Sequence, residues 1–177
     1  KESYEKYITS VIKEFDKNIN GVDCDKFVEI SDKVASVNQN HIYRYTRDLI
    51  KELKDKDYFI LAISNSPWGV LEKFCKKNSF DKVHGRLYKV DDNGKLTNTV
   101  EHEKLISDKS KILMRAIKKE NLTLKGSIGV GDTESDIPFL KIVEKPICFN
   151  PNKKLYDYAK SKKWKIVVER KDMIYHI

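Results

Sequence analysis

The chain has 177 residues, enough to bury a hydrophobic core and to hold one domain with a modest insertion. It carries 35 Lys and Arg against 27 Asp and Glu, which gives a net charge of +8. The basic residues are spread along the chain and are mostly lysine, whereas readout of bases and phosphates favours arginine, so no nucleic-acid partner is expected.

The sequence also argues against a membrane partner. No apolar run approaches the roughly 20 residues of a membrane span, and the first residues are charged and amphipathic, unlike a secretory signal. The three cysteines, Cys24, Cys75 and Cys148, show neither a C-x-x-C spacing nor a histidine ligand pattern. They are expected to be buried thiols in a reducing compartment, so a cytoplasmic location is predicted.

The first part of the chain has helical periodicity throughout. Apolar residues recur at helical spacing over residues 2–17, again from Phe27 to Val34, and a third time from Ile42 to Leu53. The pattern predicts three amphipathic helices, and residues 1–56 are therefore interpreted as an all-helical unit of short bundle type.

The periodicity changes at residue 58. Tyr58–Ile63 is a continuous apolar run too short for a helix, which is typical of a strand buried on both faces. The strands predicted after it are 82–84, 127–130, 146–149 and 165–168. The predicted helices are 70–77, 109–121, a helix after residue 136, and 153–162. This alternation predicts a doubly wound, Rossmann-like α/β domain over residues 57–177, with three layers and a parallel sheet.

Residues 85–100 interrupt that alternation. Two short runs with strand character flank Asp91-Asp92-Asn93-Gly94, and an Asn-Gly pair is a strong signal for a tight hairpin turn. A β-hairpin is therefore predicted within the α/β domain.

The run Ile128–Asp136 is the richest in chemistry, because an apolar strand ends in a glycine turn with acids at Asp132 and Asp136. Carboxyl ends of strands in open α/β sheets are where ligands bind. Two carboxylates about 4 Å apart repel by about 4 kcal/mol at an effective dielectric near 20, so a converging pair usually requires a cation or a shared proton. Oxygen ligands favour Mg²⁺. The alternative is that both acids cap the next helix.

Two further stretches carry candidate anion-binding groups. Ser64-Asn65-Ser66-Pro67 directly follows the first predicted strand, where hydroxyls and N–H groups at the start of a helix suit phosphate, although the same sequence is an ordinary helix cap. Lys109 opens a helical segment, where a lysine is unfavourable against the helix dipole unless an anion is near. Lys111 could serve instead, and either lysine could simply be solvated.

A serine at a strand end, a lysine opening a later helix and a G-D-x-x-x-D turn occur in that order. This order resembles the haloacid dehalogenase superfamily of phosphotransferases, whose second, third and fourth motifs match Ser64, Lys109, and Asp132 with Asp136. Three finer features resemble its phosphoserine-phosphatase-like branch: Ser64–Pro67, the hairpin 85–100, and Phe149–Leu155 followed by Trp164.

The resemblance implies a Mg²⁺-dependent phosphatase that acts on a small phosphorylated metabolite through an aspartyl-phosphate. Ser64, Asn65 and Lys109 would bind the phosphoryl group, and Asp132 would ligate the metal. Asp136 would either join Asp132 as a metal ligand or orient a ligand water or Lys109, so the implied catalytic residues are Ser64, Lys109 and Asp136. Residues 1–56 resemble the cap of that branch, a helical unit that closes over the site. Ser135 stands where close relatives of phosphoserine phosphatase usually carry Asn.

The family's first motif, a strand followed by D-x-D-x-T that supplies the aspartate nucleophile, is absent from the 177 residues. The nearest string, Asp23-Cys24-Asp25, is rejected because no apolar strand precedes it and no Thr follows. The resembled fold has that strand between the strands at 58–63 and 127–130, so we expect it upstream, and direct pairing of these two strands would contradict this. The chain alone is expected to be inactive. The alternative is a non-catalytic module that binds phosphate or a partner.

Overall fold

The computed structural model describes residues 4–106 and 108–177. They form two compact units, one from the described residues of Lys1–His41 with Phe59–Glu103, the other from Ile42–Tyr58 with Lys104–Ile177. The helices are α1 (Tyr4–Ile19), α2 (Cys24–Asn38), α3 (Arg44–Lys54), α4 (Trp68–Lys77), α5 (Glu103–Ile106), α6 (Lys109–Lys119), α7 (Ile137–Leu140) and α8 (Lys153–Lys162). The strands are β1 (Leu61–Pro67), β2 (Lys82–Arg86), β3 (Tyr88–Val90), β4 (Leu96–Val100), β5 (Ile128–Gly131), β6 (Lys145–Phe149), β7 (Lys165–Arg170) and β8 (Met173–His176).

The first unit combines helices α1, α2 and α4 with two small sheets. β1 and β2 pair in parallel, and β3 and β4 form the predicted antiparallel hairpin, whose turn places Gly94 at φ +76°. The hairpin is held to the helices by backbone bonds from Gly21 to Leu96 (2.8 Å) and from Leu96 to Val22 (2.7 Å). Asp16 of α1 adds a bond from the hydroxyl of Tyr88 (2.7 Å). The hairpin and the helices α1 and α2 therefore pack as one unit.

The second unit is built on a four-stranded sheet in the order β5-β6-β7-β8. The first three strands are parallel, and β8 joins antiparallel to β7. The fully buried core under this sheet consists of Leu140, Cys148, Leu155, Ala159 and Ile166. Burial of such side chains stabilises each by about 1.5 to 3 kcal/mol, so this core anchors the loops that follow β5 and β6.

Helix α3 packs on the second unit. Its N-cap residue, Tyr43, makes no side-chain cap, and the carboxylate of Glu169 in β7 instead accepts the N–H groups of Arg44 (2.9 Å) and Tyr45 (2.8 Å). The ring of Tyr45 stacks on Phe149 of β6 at 5.6 Å between centroids. The structure thus groups the third helix with the α/β unit, while the domain boundary drawn at residue 56 stays a prediction.

Two strands differ from the sequence prediction. The first was predicted from residue 58 but begins at Leu61, because the N–H of Ile60 donates to the Asp81 side chain (2.6 Å) and its carbonyl accepts from Asp81 and Lys82. The last strand, β8, was missed, since its four mostly exposed residues carry no clear alternation. The short helix α5 was also not predicted.

The other predicted elements are present, with ends shifted by a few residues, and α8 has the predicted bounds. Residues 2 and 3 of the first predicted helix lie outside the described residues. Among the described strand pairs, β1 pairs with β2 and β5 with β6, so the pairing that would contradict an intervening strand is not found there. That strand stays a prediction. Within residues 4–106 and 108–177, every helix is too short or too polar to cross a membrane.

The three thiols are expected to differ in reactivity. Burial raises the pKa of Cys75 to about 11, and burial together with the charge of Asp136 raises that of Cys148 to about 11. Cys24 is partly exposed, so the expectation of three buried thiols is wrong for this residue. Because the thiolate is the reactive form, a disulfide reagent at about pH 8 should modify Cys24 first and the other two only in denaturant. The absorbance of the released thiol measures this, and a fast phase that persists in Cys24→Ser would contradict it.

Candidate functional site

The acids of the Gly-Asp turn follow β5 directly. β5 ends at Gly131, and a 3₁₀ turn, Glu134–Asp136, leads into α7. A Cβ added at Gly131 would lie 2.6 Å from the Cβ of Asp136, so only glycine permits this close approach. The turn therefore brings the backbone of β5 against the side chain of Asp136.

Asp136 is 1% exposed, and both of its carboxylate oxygens have partners. Oδ2 accepts the backbone N–H groups of Asp132 (2.9 Å) and Thr133 (3.1 Å), and the Thr133 side chain completes a capping box. Oδ1 accepts from the ammonium of Lys109 in a short ion pair. Asp136 therefore stabilises the 3₁₀ turn and holds a lysine from another helix, but its side chain makes no cap hydrogen bond to α7, the next helix.

Lys109 is the lysine that contacts the acidic turn. It is the first residue of α6, whose N-cap Asp108 accepts from the backbone N–H of Ser110 (3.0 Å). The hydrogen bond from the Ser110 hydroxyl lowers the pKa of Asp108. The Lys109 side chain is 16% exposed, whereas Lys111 is 65% exposed and lies 3.7 Å from Asp108. The arrangement offers a largely buried ammonium group beside the carboxyl end of β5.

Asp132 is the exposed acid of the turn. Shielding by surrounding protein atoms raises the pKa of its carboxyl, and the charge of Asp136 adds to that rise while the Lys109 ammonium opposes it. Its backbone carbonyl accepts the N–H of Asn152 at 2.8 Å. A nearby cation would stabilise the ionised form of a carboxylate that is held in this way beside a second acid.

The donor set around Asp132 suits a hard cation. Within the part of the chain that the structure describes, no group of three or more His, Cys, Asp or Glu side chains comes together. The nearby donors are oxygens: Asp132 is exposed, whereas both carboxylate oxygens of Asp136 already have hydrogen-bond donors. Mg²⁺ binds through one or two carboxylates and keeps water or phosphate in its other positions, so the residues present fit Mg²⁺ better than Zn²⁺. The assignment of Asp132 and Asp136 as metal ligands stays a prediction.

Ser64 and Asn65 belong to the first unit, in the second half of β1. The Ser64 hydroxyl accepts the N–H of Ser66 at 3.1 Å, which is a local turn bond, and Asn65 is exposed. Lys109, Asp132 and Asp136 belong to the second unit, where the structure brings them together. The convergence of Ser64 and Asn65 with these three residues stays a prediction.

A second set of contacts at the same turn was not predicted from the sequence. Glu134 binds the side-chain amide of Asn152 through Oε2 and the ammonium of Lys154 (2.9 Å) through Oε1. The hydrogen bond from Asn152, followed by that from Lys154, lowers the pKa of Glu134. Asn152 could have been identified as the N-cap of α8 from its place before a helical run, but nothing in the sequence pairs it with Glu134.

Comparison with known proteins gives one clear relative in sequence. No family model matches the chain. A phosphoserine phosphatase of Methanocaldococcus jannaschii is 31% identical over 127 residues, which are 71% of this chain and 57% of the relative. The chain therefore spans somewhat more than half the length of the curated relative that it matches.

Solved structures agree with that match. A phospho-aspartyl intermediate analogue of phosphoserine phosphatase is 31% identical, with a TM-score of 0.56 over 71% of this chain and 58% of that one. A substrate-bound phosphoserine phosphatase has a TM-score of 0.65 at 24% identity, covering 93% of this chain and 72% of that one. A HAD family hydrolase of Salmonella enterica serovar Typhi has a TM-score of 0.61 at 13% identity, covering 89% of this chain and 50% of that one. The predicted resemblance and the α/β fold are confirmed.

Proposed function

Because this chain belongs to the haloacid dehalogenase superfamily and is phosphoserine-phosphatase-like, we propose that the protein is a Mg²⁺-dependent phosphomonoester phosphatase whose substrate is a small phosphorylated metabolite. The observation that carries the proposal is the buried Lys109–Asp136 pair beside the exposed carboxylate of Asp132, at the carboxyl end of β5. This arrangement places a fixed positive charge and an exposed acid at one sheet edge, which suits a phosphate group and a divalent cation.

In this proposal Lys109 neutralises charge on the phosphoryl group and on the attacking carboxylate. Asp136 keeps the Lys109 ammonium in place, since one of its oxygens accepts from Lys109 and the other from two backbone N–H groups. Asp132 holds Mg²⁺, which when bound would neutralise phosphoryl oxygens and orient the substrate. The contacts of Asp136 support one of the alternatives inferred from the sequence, in which Asp136 orients Lys109.

The proposed chemistry passes through an aspartyl-phosphate. A carboxylate oxygen bonds to phosphorus, the ester P–O bond breaks, and the electron pair leaves on the alcohol oxygen, which takes a proton. Water then hydrolyses the acyl phosphate to release inorganic phosphate and regenerate the carboxylate. The nucleophile is an aspartate of a D-x-D-x-T motif, which the 177 residues do not contain, so the chain alone is proposed to be inactive.

The remaining roles in the proposal are those of Ser64 and Asn65 in the first unit and of residues 1–56, whose third helix belongs to the second unit. Ser64 and Asn65 hold phosphoryl oxygens, and the helices of residues 1–56 act as the cap that excludes water and selects the substrate. No nucleic acid or membrane is needed as a partner, and a cytoplasmic location fits the free thiols.

The experiment is an assay of Mg²⁺-dependent aryl phosphate hydrolysis by the protein joined to its D-x-D-x-T segment. Asp132→Asn is expected to lower kcat/KM by about 100-fold, which corresponds to about 2.7 kcal/mol of transition-state stabilisation, because a carboxylate ligand is lost. Release of the coloured phenol measures the rate at several Mg²⁺ concentrations.

A folding control separates lost chemistry from lost structure. Because the raised pKa of Asp132 means that its ionisation disfavours the folded state above that pKa, Asp132→Asn should not lower stability at neutral pH without metal. Urea unfolding of both proteins tests this. Undiminished hydrolysis by a folded Asp132→Asn protein would contradict the proposed site.

A second candidate is a non-catalytic module that binds phosphate or a partner, and the largely buried Lys109 ammonium beside β5 would serve such binding as well. In that case calorimetry would detect binding of inorganic phosphate that depends on Lys109, while no phosphate ester would be hydrolysed with or without Mg²⁺. Turnover that requires Asp132 would exclude this candidate.

A further inference from the structure

We propose that Asn152 and Glu134 are positioning residues that hold the acidic loop, Asp132–Asp136, in the conformation that presents the Asp132 carboxylate. The purpose of this conformation, binding of Mg²⁺, rests on the function proposed above. The contacts themselves do not depend on it.

Asn152 contacts the acidic loop at two points. Its backbone N–H donates to the carbonyl of Asp132 at 2.8 Å, and its side-chain amide donates to Glu134, two residues further along the loop. Lys154 adds an ion pair to the other oxygen of Glu134 at 2.9 Å, although its own side chain is 63% exposed. The loop is thus attached to the start of α8 through both main chain and side chain.

Asn152 is itself fixed by the helix that it caps. Its Oδ1 accepts the N–H of Leu155 at 3.0 Å, and its carbonyl accepts the N–H of Tyr156 at 2.9 Å. Leu155 is fully buried in the core. Because Leu155 N–H requires an acceptor and the Glu134 carboxylate requires a donor, only one orientation of the amide satisfies both partners.

The same loop is held from its other side by Asp136, which accepts the N–H groups of Asp132 and Thr133. Asp136 therefore binds the N–H of Asp132, and Asn152 binds its carbonyl. Together the two contacts set the orientation of the Asp132 backbone. Groups behind a metal ligand that orient it typically change metal affinity by about 10 to 100-fold when they are mutated. Loss of the Asn152–Glu134 contact should therefore loosen the loop and weaken metal binding.

The test uses Asn152→Asp, Glu134→Gln and the double variant. Aspartate is as good an N-cap as asparagine and still accepts from Leu155, but it faces the Glu134 carboxylate with a second negative charge. In the double variant the glutamine amide introduced by Glu134→Gln can donate to the new aspartate, so the contact is restored in reverse and the net charge equals that of the unmodified protein. Asn152→Asp thus breaks a contact that the double variant remakes, whereas in Glu134→Gln alone the amide oxygen can still accept from Asn152.

Mg²⁺ affinity measured by calorimetry is the first readout. Asn152→Asp is expected to weaken Mg²⁺ binding by about 10-fold, and the double variant to return to within about threefold of the unmodified protein. A plain charge effect has the opposite sign, because an added carboxylate near the site attracts Mg²⁺. Lys153→Gln, which makes the same change in charge at the neighbouring exposed position, is the matched control and should not weaken Mg²⁺ binding.

Amide hydrogen exchange of Asp132 and Thr133 is the second readout and needs neither Mg²⁺ nor substrate. Exchange should be faster in Asn152→Asp, and slow again in the double variant, because both N–H groups lie in the loop that the contact holds. Absence of Mg²⁺ binding, together with absence of hydrolysis by the protein joined to its D-x-D-x-T segment, would refute the proposed function while leaving this readout decisive. Unchanged exchange in Asn152→Asp, or no recovery in the double variant, would overturn the positioning role.

Discussion

Replacing Asp136 with alanine is expected to lower the free energy of unfolding by about 3 to 5 kcal/mol, because removing one partner of a buried ion pair leaves the other without compensation. The side chain of Asp136 is 2% exposed and that of Lys109 is 16% exposed. The backbone N–H groups of Asp132 and Thr133 lose their acceptor in the same variant. Such a loss is a large part of the about 5 to 15 kcal/mol that stabilises a typical domain.

Urea unfolding followed by the fluorescence of Trp164 measures this effect in the second unit, in a Trp68→Phe background that removes the other tryptophan. The matched control is Asp157→Ala, which breaks the exposed pair with Lys153 and should change stability by no more than about 1 kcal/mol. Adding Lys109→Met to Asp136→Ala should recover part of the loss, since the uncompensated charge is removed. Similar losses for the Asp136 and Asp157 variants would contradict the interpretation of Asp136 as a buried anchor.

Replacing Gly131 with alanine is expected to destabilise the protein by about 3 kcal/mol, at the upper end for overpacking, and to displace the acidic loop. The added Cβ would lie 2.6 Å from the Cβ of Asp136 and 2.8 Å from its Oδ2. Cβ is bonded to the backbone, so Asp136 cannot avoid the clash by rotating its side chain. The Lys109–Asp136 pair should therefore be disturbed together with the fold.

In nitrogen–proton correlation NMR spectra, the backbone amide signals of Asp132 and Thr133 report displacement of the acidic loop, because both amides donate to Asp136. The matched variant is Gly129→Ala in the same strand. The Cβ of this alanine would lie 2.8 Å from a methyl group of Val143. Val143→Ala should relieve that clash, which a double-mutant cycle of unfolding free energies would show as a favourable coupling. Relief of Gly131→Ala by Asp136→Ala is not expected, since alanine keeps the clashing Cβ.

The candidate site was predictable only in part. The Gly-Asp turn after an apolar strand identified Asp132 and Asp136 as acids at a sheet edge, since that inference depends on neighbouring residues. The partner of Asp136 was accessible only through family resemblance, because 27 residues separate Lys109 from Asp136 and no periodicity relates them. Glu134 and Asn152 are 18 residues apart, and neither a local pattern nor the family resemblance paired them.

The sequence by itself determined the elements whose signals are local. The bounds of α8, the Asn-Gly turn of the hairpin and the strand before Gly131 all follow from side-chain periodicity and turn chemistry within a few residues.

The tertiary structure decided the features that depend on distant partners. Helix α3 joins the second unit because Glu169 caps it and Phe149 stacks on Tyr45, and β8 exists because β7 supplies its hydrogen-bond ladder. Asp136 orients a lysine because folding brings α6 to the end of β5. Such contacts form only when burial offsets the entropy of ordering residues that are far apart in the chain, and no local pattern records that balance.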